Sequence, residues 1–324
     1  MNRGIKGLII AGSIFMGVGL TVALVGLATS GFKWTGFGNY KVEEKTYDVE
    51  SPVFENINIQ EVVGKLTFVA TTDGTCKVEC NELEKVSHTV EIKDNTLYVT
   101  TKDSRKFYEK WGSGFNYSGV TTTIYLPITS IQTATISNNT GSITMGEEFS
   151  FTTATVDNDT GSINWNANVS QSLKLSNETG TVTIEKGTYG SLDASTSTGS
   201  VKISNASITN QIVTKTSTGG TYLTDVTGAS LNAKCSTGSL HINKTIVTGD
   251  FNLETNTGSI NFDEADATNI YAETDTGSIK GTLLTSKQFD AKSDTGSVRV
   301  PASDSTKGVC RLRTDTGSIN ITIA

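Results

Sequence analysis

Asp294-Thr295-Gly296-Ser297-Val298 is one copy of a pentad that recurs from residue 133 to the C-terminus. The pattern returns every 19 to 21 residues, with Thr before the glycine in all ten copies and Ser after it in eight. The ten glycines are Gly141, Gly161, Gly180, Gly199, Gly219, Gly238, Gly258, Gly277, Gly296 and Gly317. Internal repetition with a short, nearly fixed period is typical of solenoids, in which each repeat stacks on its neighbours.

Apolar and polar residues alternate on both sides of each glycine. Around Gly180, for example, Leu173 and Leu175 precede the glycine, and Val182 and Ile184 follow it. This period of two predicts two short strands per repeat, each with one buried face, joined by a turn for which glycine supplies the backbone conformation. Stacked copies bury a continuous core at about 4.8 Å per rung. We therefore predict an all-β fold, a β-solenoid of single-stranded β-helix type, over residues 129–324.

The N-terminus has the pattern of a membrane anchor. Residues 1–6 are basic, and residues 7–29 form an uncharged, apolar run of 23 residues. A helix of that length rises far enough, at about 1.5 Å per residue, to cross a bilayer core of about 30 Å. The positive flank predicts a single-pass protein of the cell membrane, with a cytoplasmic tail and an extracytoplasmic C-terminal domain. A cleaved signal peptide is the alternative, because Ala28-Thr29-Ser30 is small enough to be cut.

Between the anchor and the repeats we predict a juxtamembrane linker, residues 30–46, and an N-terminal β cap, residues 47–128. The spacing of apolar residues around Gly64 predicts an outlying first rung within this cap, and Asp94-Asn95 predicts a hairpin turn. At the other end the chain stops in mid-pattern at Ala324. An uncapped C-terminal rung would be an edge available for self-association or for a partner.

Composition excludes some classes of function. The chain has 324 residues and a net charge of −7, which argues against nucleic acid as a partner, because a nucleic-acid-binding protein is expected to carry a basic patch. The four cysteines are too few and too scattered for a disulfide framework, and each falls on a predicted buried strand face. We expect free, buried thiols at Cys76, Cys80, Cys235 and Cys310.

Asp-Thr-Gly-Ser is also the signature of aspartic proteases, but other copies have Asn, Ser or Glu in place of the aspartate. That variation favours a structural turn, in which the side chain bonds the nearby backbone. Three consecutive copies nevertheless have aspartate, namely Asp275, Asp294 and Asp315. Carboxylates about 5 Å apart repel one another unless they are solvated, protonated or bridged by a cation. A surface Ca²⁺ site is one interpretation and solvated turn residues the other; no further cofactor is expected.

The segment from residue 103 to residue 119 is the strongest candidate for contact with a ligand. It concentrates aromatic and cationic side chains, a combination suited to sugars, peptides or headgroups. The candidate binding residues are Arg105, Phe107, Tyr108, Trp111, Phe115 and Tyr117. The alternative is that these rings fold over the first rung as a cover.

The N-terminal span, the irregular β segment and ten Asx-Thr-Gly-Ser-Ile turns resemble the bacterial "putative adhesin" β-strand-repeat family of unknown function. The resemblance covers residues 47–324 and implies a location at the cell envelope, with no catalytic motif to carry over. We expect a non-enzymatic cell-surface binding or scaffold protein that contacts wall polymer or an envelope protein. A membrane-bound modulator of an envelope-stress signalling or transport complex is the alternative. A glycan-active enzyme is a minor one, because outward positions are mostly Thr, Ser and Asn rather than clustered carboxylates.

Overall fold

The computed structural model describes residues 42–50, 52–105, 119–128 and 131–324. The predicted tail, membrane span and most of the linker lie outside the described residues. Within the described ranges no helix is long and apolar enough to cross a membrane. Val42–Ser104 and Tyr117–Ala324 together form one compact unit, which contains all the strands of the described part.

Among the described residues of this unit, the regular structure is entirely β-strand. The strands are β1 Val42–Asp48, β2 Asn56–Val63, β3 Lys65–Thr71, β4 Lys77–Leu83, β5 Val86–Lys93, β6 Thr96–Asp103, β7 Thr121–Pro127, β8 Ile131–Thr140, β9 Ile143–Met145, β10 Ser150–Thr160, β11 Ile163–Trp165, β12 Asn168–Thr179, β13 Val182–Ile184, β14 Gly187–Thr198, β15 Val201–Ile208, β16 Gln211–Thr218, β17 Thr221–Gly228, β18 Ser230–Thr237, β19 Leu240–Asn243, β20 Ile246–Val247, β21 Asp250–Thr257, β22 Ile260–Ala265, β23 Asn269–Thr276, β24 Ile279–Leu283, β25 Gln288–Thr295, β26 Val298–Arg299, β27 Val309–Thr316 and β28 Ile319–Ile323.

Each repeat contributes one strand before its glycine and one after it, and strands of the same kind pair in parallel. The strands before the glycines form sheet 1, in the order β8, β10, β12, β14, β16, β18, β21, β23, β27, β25. The strands after the glycines form sheet 2, in the order β9, β11, β13, β15, β17, β19, β22, β24, β28, β26. Alternate side chains point inward into one core, so the predicted β-solenoid and its ten glycine turns are confirmed.

The corner between the two sheets requires glycine. The ten repeat glycines have φ between +129° and +156°, a region that L side chains rarely adopt. A β-carbon on any of them would lie 1.7–2.1 Å from the carbonyl oxygen of the glycine on the neighbouring rung. The glycines therefore stack directly on one another, and no other residue fits this column.

The side chain that completes each turn is not the one predicted. The predicted bond from the Asx position two residues before the glycine is wrong, because those side chains are exposed. Instead, in most rungs the inward-facing residue three before the glycine donates to a neighbouring rung's glycine carbonyl, whereas Asn158 donates to Asn177 and Thr216 to its own Gly219. Examples are Thr196 to Gly180 and Thr255 to Gly238, both at 2.9 Å. Even Cys235 takes this role, with its Sγ 3.0 Å from the Gly219 oxygen.

The predicted first rung is present and adds a turn to the ten. β2 pairs in parallel with β8, which places Ile57 beside Ala134, and β3 pairs with β9. The other edges of β2 and β3 carry β6 and β7, also in parallel. The stack then ends in antiparallel strands. β5 pairs with β6, β4 pairs with β7, and β1 pairs with the other edge of β4. The predicted hairpin at Asp94-Asn95 is confirmed, with both residues at positive φ.

The cap begins earlier than expected. β1 starts at Val42, so residues 42–46, predicted as linker, form a strand. β1 pairs antiparallel with β4 along its whole length. The four cysteines are free and buried, as predicted.

The prediction that the C-terminal rung ends the solenoid is wrong. β27 and β28, the last strands in sequence, lie between β23–β24 and β25–β26. The terminal rung in space is therefore Gln288–Arg299. In this order Leu312 and Ile319 of the interior rung are fully buried, while Val298 of the terminal rung is 43% exposed. The spacing of 21 residues between Gly296 and Gly317 is the longest between repeat glycines. The extra residues allow the chain to return past the terminal rung.

Candidate functional site

The predicted aromatic loop lies between β6 and β7 in the sequence. β2 and β3 are separated by Gly64 alone, whereas residues 104–120 separate their neighbours β6 and β7. Of the candidate binding residues only Arg105 is described, and it is buried. The others, Phe107, Tyr108, Trp111, Phe115 and Tyr117, lie outside the described residues, so their role stays a prediction.

The three aspartates of the predicted calcium site are not on rungs in sequence order. Because β27 lies between β23 and β25, the column runs Asp275, Asp315, Asp294. Asp294 forms an ion pair with Lys292, with 2.7 Å between Oδ1 and Nζ. In the described part of the chain, no three His, Cys, Asp or Glu side chains come together closely enough to hold a metal ion. The described geometry therefore gives the calcium interpretation no support.

Sequence reasoning missed a buried ionic cluster in the cap. His88 on β5 lies between two carboxylates, with Nε2 3.0 Å from Oε2 of Glu61 and Nδ1 3.0 Å from Oε1 of Glu82. The three side chains are only 1–2% exposed. Thr101 and Thr122 donate hydrogen bonds to Glu61 at 2.6 and 2.8 Å. The cluster links β2, β4, β5, β6 and β7.

Lys45 and Tyr47 complete the cluster from β1. Both side chains contact Glu82, with the Tyr47 hydroxyl donating to it at 2.7 Å. Two carboxylates, one imidazolium and one ammonium make the group electrically neutral. A buried charge is tolerated only when it is paired and hydrogen-bonded, and this network meets that condition.

The pKa values of the three buried groups are shifted in the direction that favours their charged forms. Burial alone would lower the pKa of His88, but hydrogen bonds to Cys80 and Glu61 and the charge of Glu61 raise it to about 10. Burial would raise the pKa of Glu82, but hydrogen bonds from Lys45, Tyr47 and His88 lower it to about 2. The pKa of Glu61 is likewise lowered, since His88, Thr101 and Thr122 outweigh its burial. All three groups are charged at neutral pH.

The cluster has acid–base residue types but the properties of a structural anchor. The side chains of Glu61, Glu82 and His88 are closed from solvent, and their polar atoms bond within the cluster. A general acid or base must instead reach a substrate atom and have a pKa near the working pH. One signal in the sequence pointed to it: Glu61 stands three residues before Gly64, in an inward column that elsewhere holds Asn, Thr, Ser or Cys.

An open trough lies on the outer surface of sheet 1. A cleft of about 340 Å³ crosses strands β18, β21, β23 and β27. Its charged and aromatic lining comprises Lys234, Glu254, Tyr271, Glu273, Arg311 and Arg313. A second cleft of about 330 Å³ shares Lys234 and Glu254 with the first and continues over rungs lined by Ser195, Thr216 and Ser217. Together they form one polar trough that runs across the rungs.

The charges in the trough are largely paired. Lys234 lies 2.6 Å from Glu254 on the neighbouring rung. Arg311 and Arg313 both bond the Asp290 carboxylate, at 3.2 and 2.6 Å. The Arg311 guanidinium also lies 6.0 Å from the centre of the Tyr271 ring, at the outer limit of a cation–π contact. The trough thus offers amide, carboxylate and guanidinium groups around one aromatic ring, with little net charge.

Comparison with known proteins identifies the family. The model of the Toastrack DUF4097 family matches residues 54–267, which is more than half of the chain. No curated protein matches the sequence. Among solved structures, the chain is similar to a "putative adhesin" of Parabacteroides merdae ATCC 43184, at 12% identity and a TM-score of 0.47, over 88% of this chain and 98% of that one.

Two proteins of Parabacteroides distasonis ATCC 8503 are also similar. A "putative adhesin" has 16% identity and a TM-score of 0.46, over 88% of this chain and 98% of that one. A "putative lipid binding protein" has 11% identity and a TM-score of 0.42, over 86% and 97%. Similarities this low carry no conclusion about function. The family model, in contrast, matches more than half of the chain, and this match confirms the expected resemblance to a β-strand-repeat family. The chain belongs to the Toastrack DUF4097 family.

Proposed function

We propose that this protein is a non-enzymatic binding protein of the cell surface. In this proposal residues 7–29 anchor it in the cell membrane, and the sheet 1 trough holds an uncharged, hydroxyl-rich polymer, a glycan chain, outside the cell. The observation that carries the proposal is the continuity of the trough across successive rungs. A repeating polymer can make the same contact at each rung, whereas a compact small molecule would use only one.

The chemistry of the lining favours a neutral glycan. Lys234, Arg311 and Arg313 are balanced by Glu254, Glu273 and the adjoining Asp290, so neither a polyanion nor a polycation is preferred. Asn232 and Asn252 add amide groups that donate and accept hydrogen bonds. Tyr271 supplies a ring against which the apolar face of a sugar can pack. The aromatic loop is proposed as a second contact surface, beginning at Arg105.

The experiment measures binding of the full chain, in detergent, to an array of neutral and charged envelope polysaccharides. Tyr271→Ala removes the ring of the trough. We expect roughly tenfold weaker binding to a neutral glycan, because an aromatic contact of this kind contributes about 1 kcal/mol or slightly more. Tyr222→Ala is the matched control, since Tyr222 is an exposed tyrosine on sheet 2 and does not line the trough.

Three results would reject the trough as the binding site. These are equal affinity for wild type and Tyr271→Ala, a preference for charged over neutral polymers, and absence of binding to any polysaccharide. Replacing residues 106–118 by a short Gly-Ser linker tests the loop separately. A loss of binding in that variant alone would transfer the site from the trough to the loop.

A further inference from the structure

The solenoid is closed at one end and open at the other. At the N-terminal end the antiparallel strands β1, β4 and β5 cover the stack. At the other end the terminal rung has one neighbour on each sheet, since β25 pairs only with β27 and β26 only with β28 among the described strands. Phe289, Ala291 and Val300 are only partly buried there, and Val298 is 43% exposed. Their counterparts on the adjoining rung are buried.

The free edge of β25 is covered at its start and open in its second half. Ser303 Oγ accepts a hydrogen bond from the Phe289 N–H at 2.9 Å, and the Asp304 N–H donates to the Lys287 carbonyl at 3.0 Å. Alternate residues of a strand direct their backbone groups to opposite sides. Because the Phe289 N–H points away from β27, the backbone groups of Ala291 and Ser293 face the same open edge.

The charges along β25 are complementary to a second copy of β25. Asp290, Lys292 and Asp294 alternate in sign and lie on the outer face of the strand. In an antiparallel pair related by a two-fold axis through Ser293, Lys292 of each copy lies opposite Asp294 of the other. An axis through Lys292 would instead oppose lysine to lysine and Asp290 to Asp294. The loop at Ser303 covers the start of the edge, which displaces pairing toward Ser293.

We propose that two copies of this protein associate end to end through their terminal rungs. β25 of each copy pairs antiparallel with β25 of the other about Ser293. The contact extends sheet 1 from one copy into the next and covers the partly buried apolar side chains of both end layers. Such an interface is isologous, because the same patch serves both subunits and the pairing closes at a dimer. Charged edges usually prevent strand pairing, but here the alternating signs select one register.

Sedimentation of the full chain in detergent, over a range of concentrations, tests the dimer. We expect a reversible monomer–dimer equilibrium that Lys292→Asp weakens at least tenfold, because it places two pairs of like charges in contact. The double variant Lys292→Asp/Asp294→Lys restores opposite charges in the same register and should recover the dimer. Lys174→Asp is the matched control, because it makes the same charge change on an exposed position of β12, far from the terminal rung.

Amide hydrogen exchange provides a second readout that unfolding of the rung would not imitate. The Ala291 and Ser293 amides should become protected as protein concentration rises. The proposal is overturned if the wild type stays monomeric up to about 1 mM, because association weaker than that is too weak for a specific dimer. It is also overturned if Lys292→Asp leaves the dimer unchanged or if the double variant does not restore it.

Discussion

The residue three before each glycine shows how a single side chain stabilises this solenoid. Thr255 is 1% exposed, and its hydroxyl satisfies the Gly238 carbonyl on the neighbouring rung. Thr255→Val keeps the shape of the side chain but removes the donor. We expect a loss of about 1–2 kcal/mol in the free energy of unfolding, measured by urea denaturation, because a closely packed carbonyl loses its partner.

Thr257 is the matched control for that substitution. It lies two residues further along the same strand, is exposed, and its hydroxyl has no hydrogen-bond partner among the described residues. Thr257→Val should change stability by less than about 0.5 kcal/mol. Equal effects of the two substitutions would mean that the carbonyl bond contributes nothing.

At the level of the elements, the His88 cluster joins the antiparallel cap to the first rungs. Removing one member leaves buried charges without a partner, so His88→Gln should cost about 3–5 kcal/mol. His241→Gln is the control, since His241 is only half buried and stacks on Tyr222 at the surface of sheet 2. Urea denaturation, followed by a signal that reports on the cap, would measure the difference in stability between the two variants. Equal stability of the two would reject the cluster as an anchor.

The contribution of the cluster should depend on pH in a defined window. The pKa of His88 is raised from 6.5 to about 10, so its contribution is complete below pH 6.5 and is lost as pH rises toward 10. The pKa of Glu82 is lowered from 4.5 to about 2, so its contribution is complete above pH 4.5 and is lost as pH falls toward 2. The difference between wild type and His88→Gln should therefore be largest between pH 4.5 and 6.5. A difference that grows above pH 8 would contradict this assignment.

At the scale of the whole molecule, the repeat predicted the strands, the glycine corners and the inward columns. These follow from local rules: a period of two sets the faces of a strand, and only glycine fits the corner. The outlying rung at Gly64 was also predictable, since it carries the same apolar spacing. The repeat could not predict the order of the last rungs. Every rung presents the same pentad and similar apolar columns. Stacking in sequence order is therefore as compatible with the repeat as the observed order, and only side-chain volumes and charges distinguish the two.

The cap cluster was hidden for a different reason. Glu61, Glu82 and His88 lie on three strands outside the ten repeats, and nothing in their spacing brings them together. Only the antiparallel pairing of the cap does so. The trough was also unpredictable as a site, because its lining residues come from several rungs that are far apart in the sequence. Arg311 and Arg313 join Tyr271 there only because β27 is inserted beside β23.

The most direct test of this architecture is disulfide trapping of the rung order. Glu273 is in register with Arg313, and Arg313 is in turn in register with Lys292. Neighbouring rungs place paired Cα atoms about 4.8 Å apart, and rungs two apart about 9.6 Å. A disulfide needs a Cα separation of about 4.4–6.8 Å. We predict that Glu273→Cys/Arg313→Cys forms a cross-link on mild oxidation and that Glu273→Cys/Lys292→Cys does not. The reverse result would mean that the rungs stack in sequence order, and the inserted C-terminal rung would be wrong.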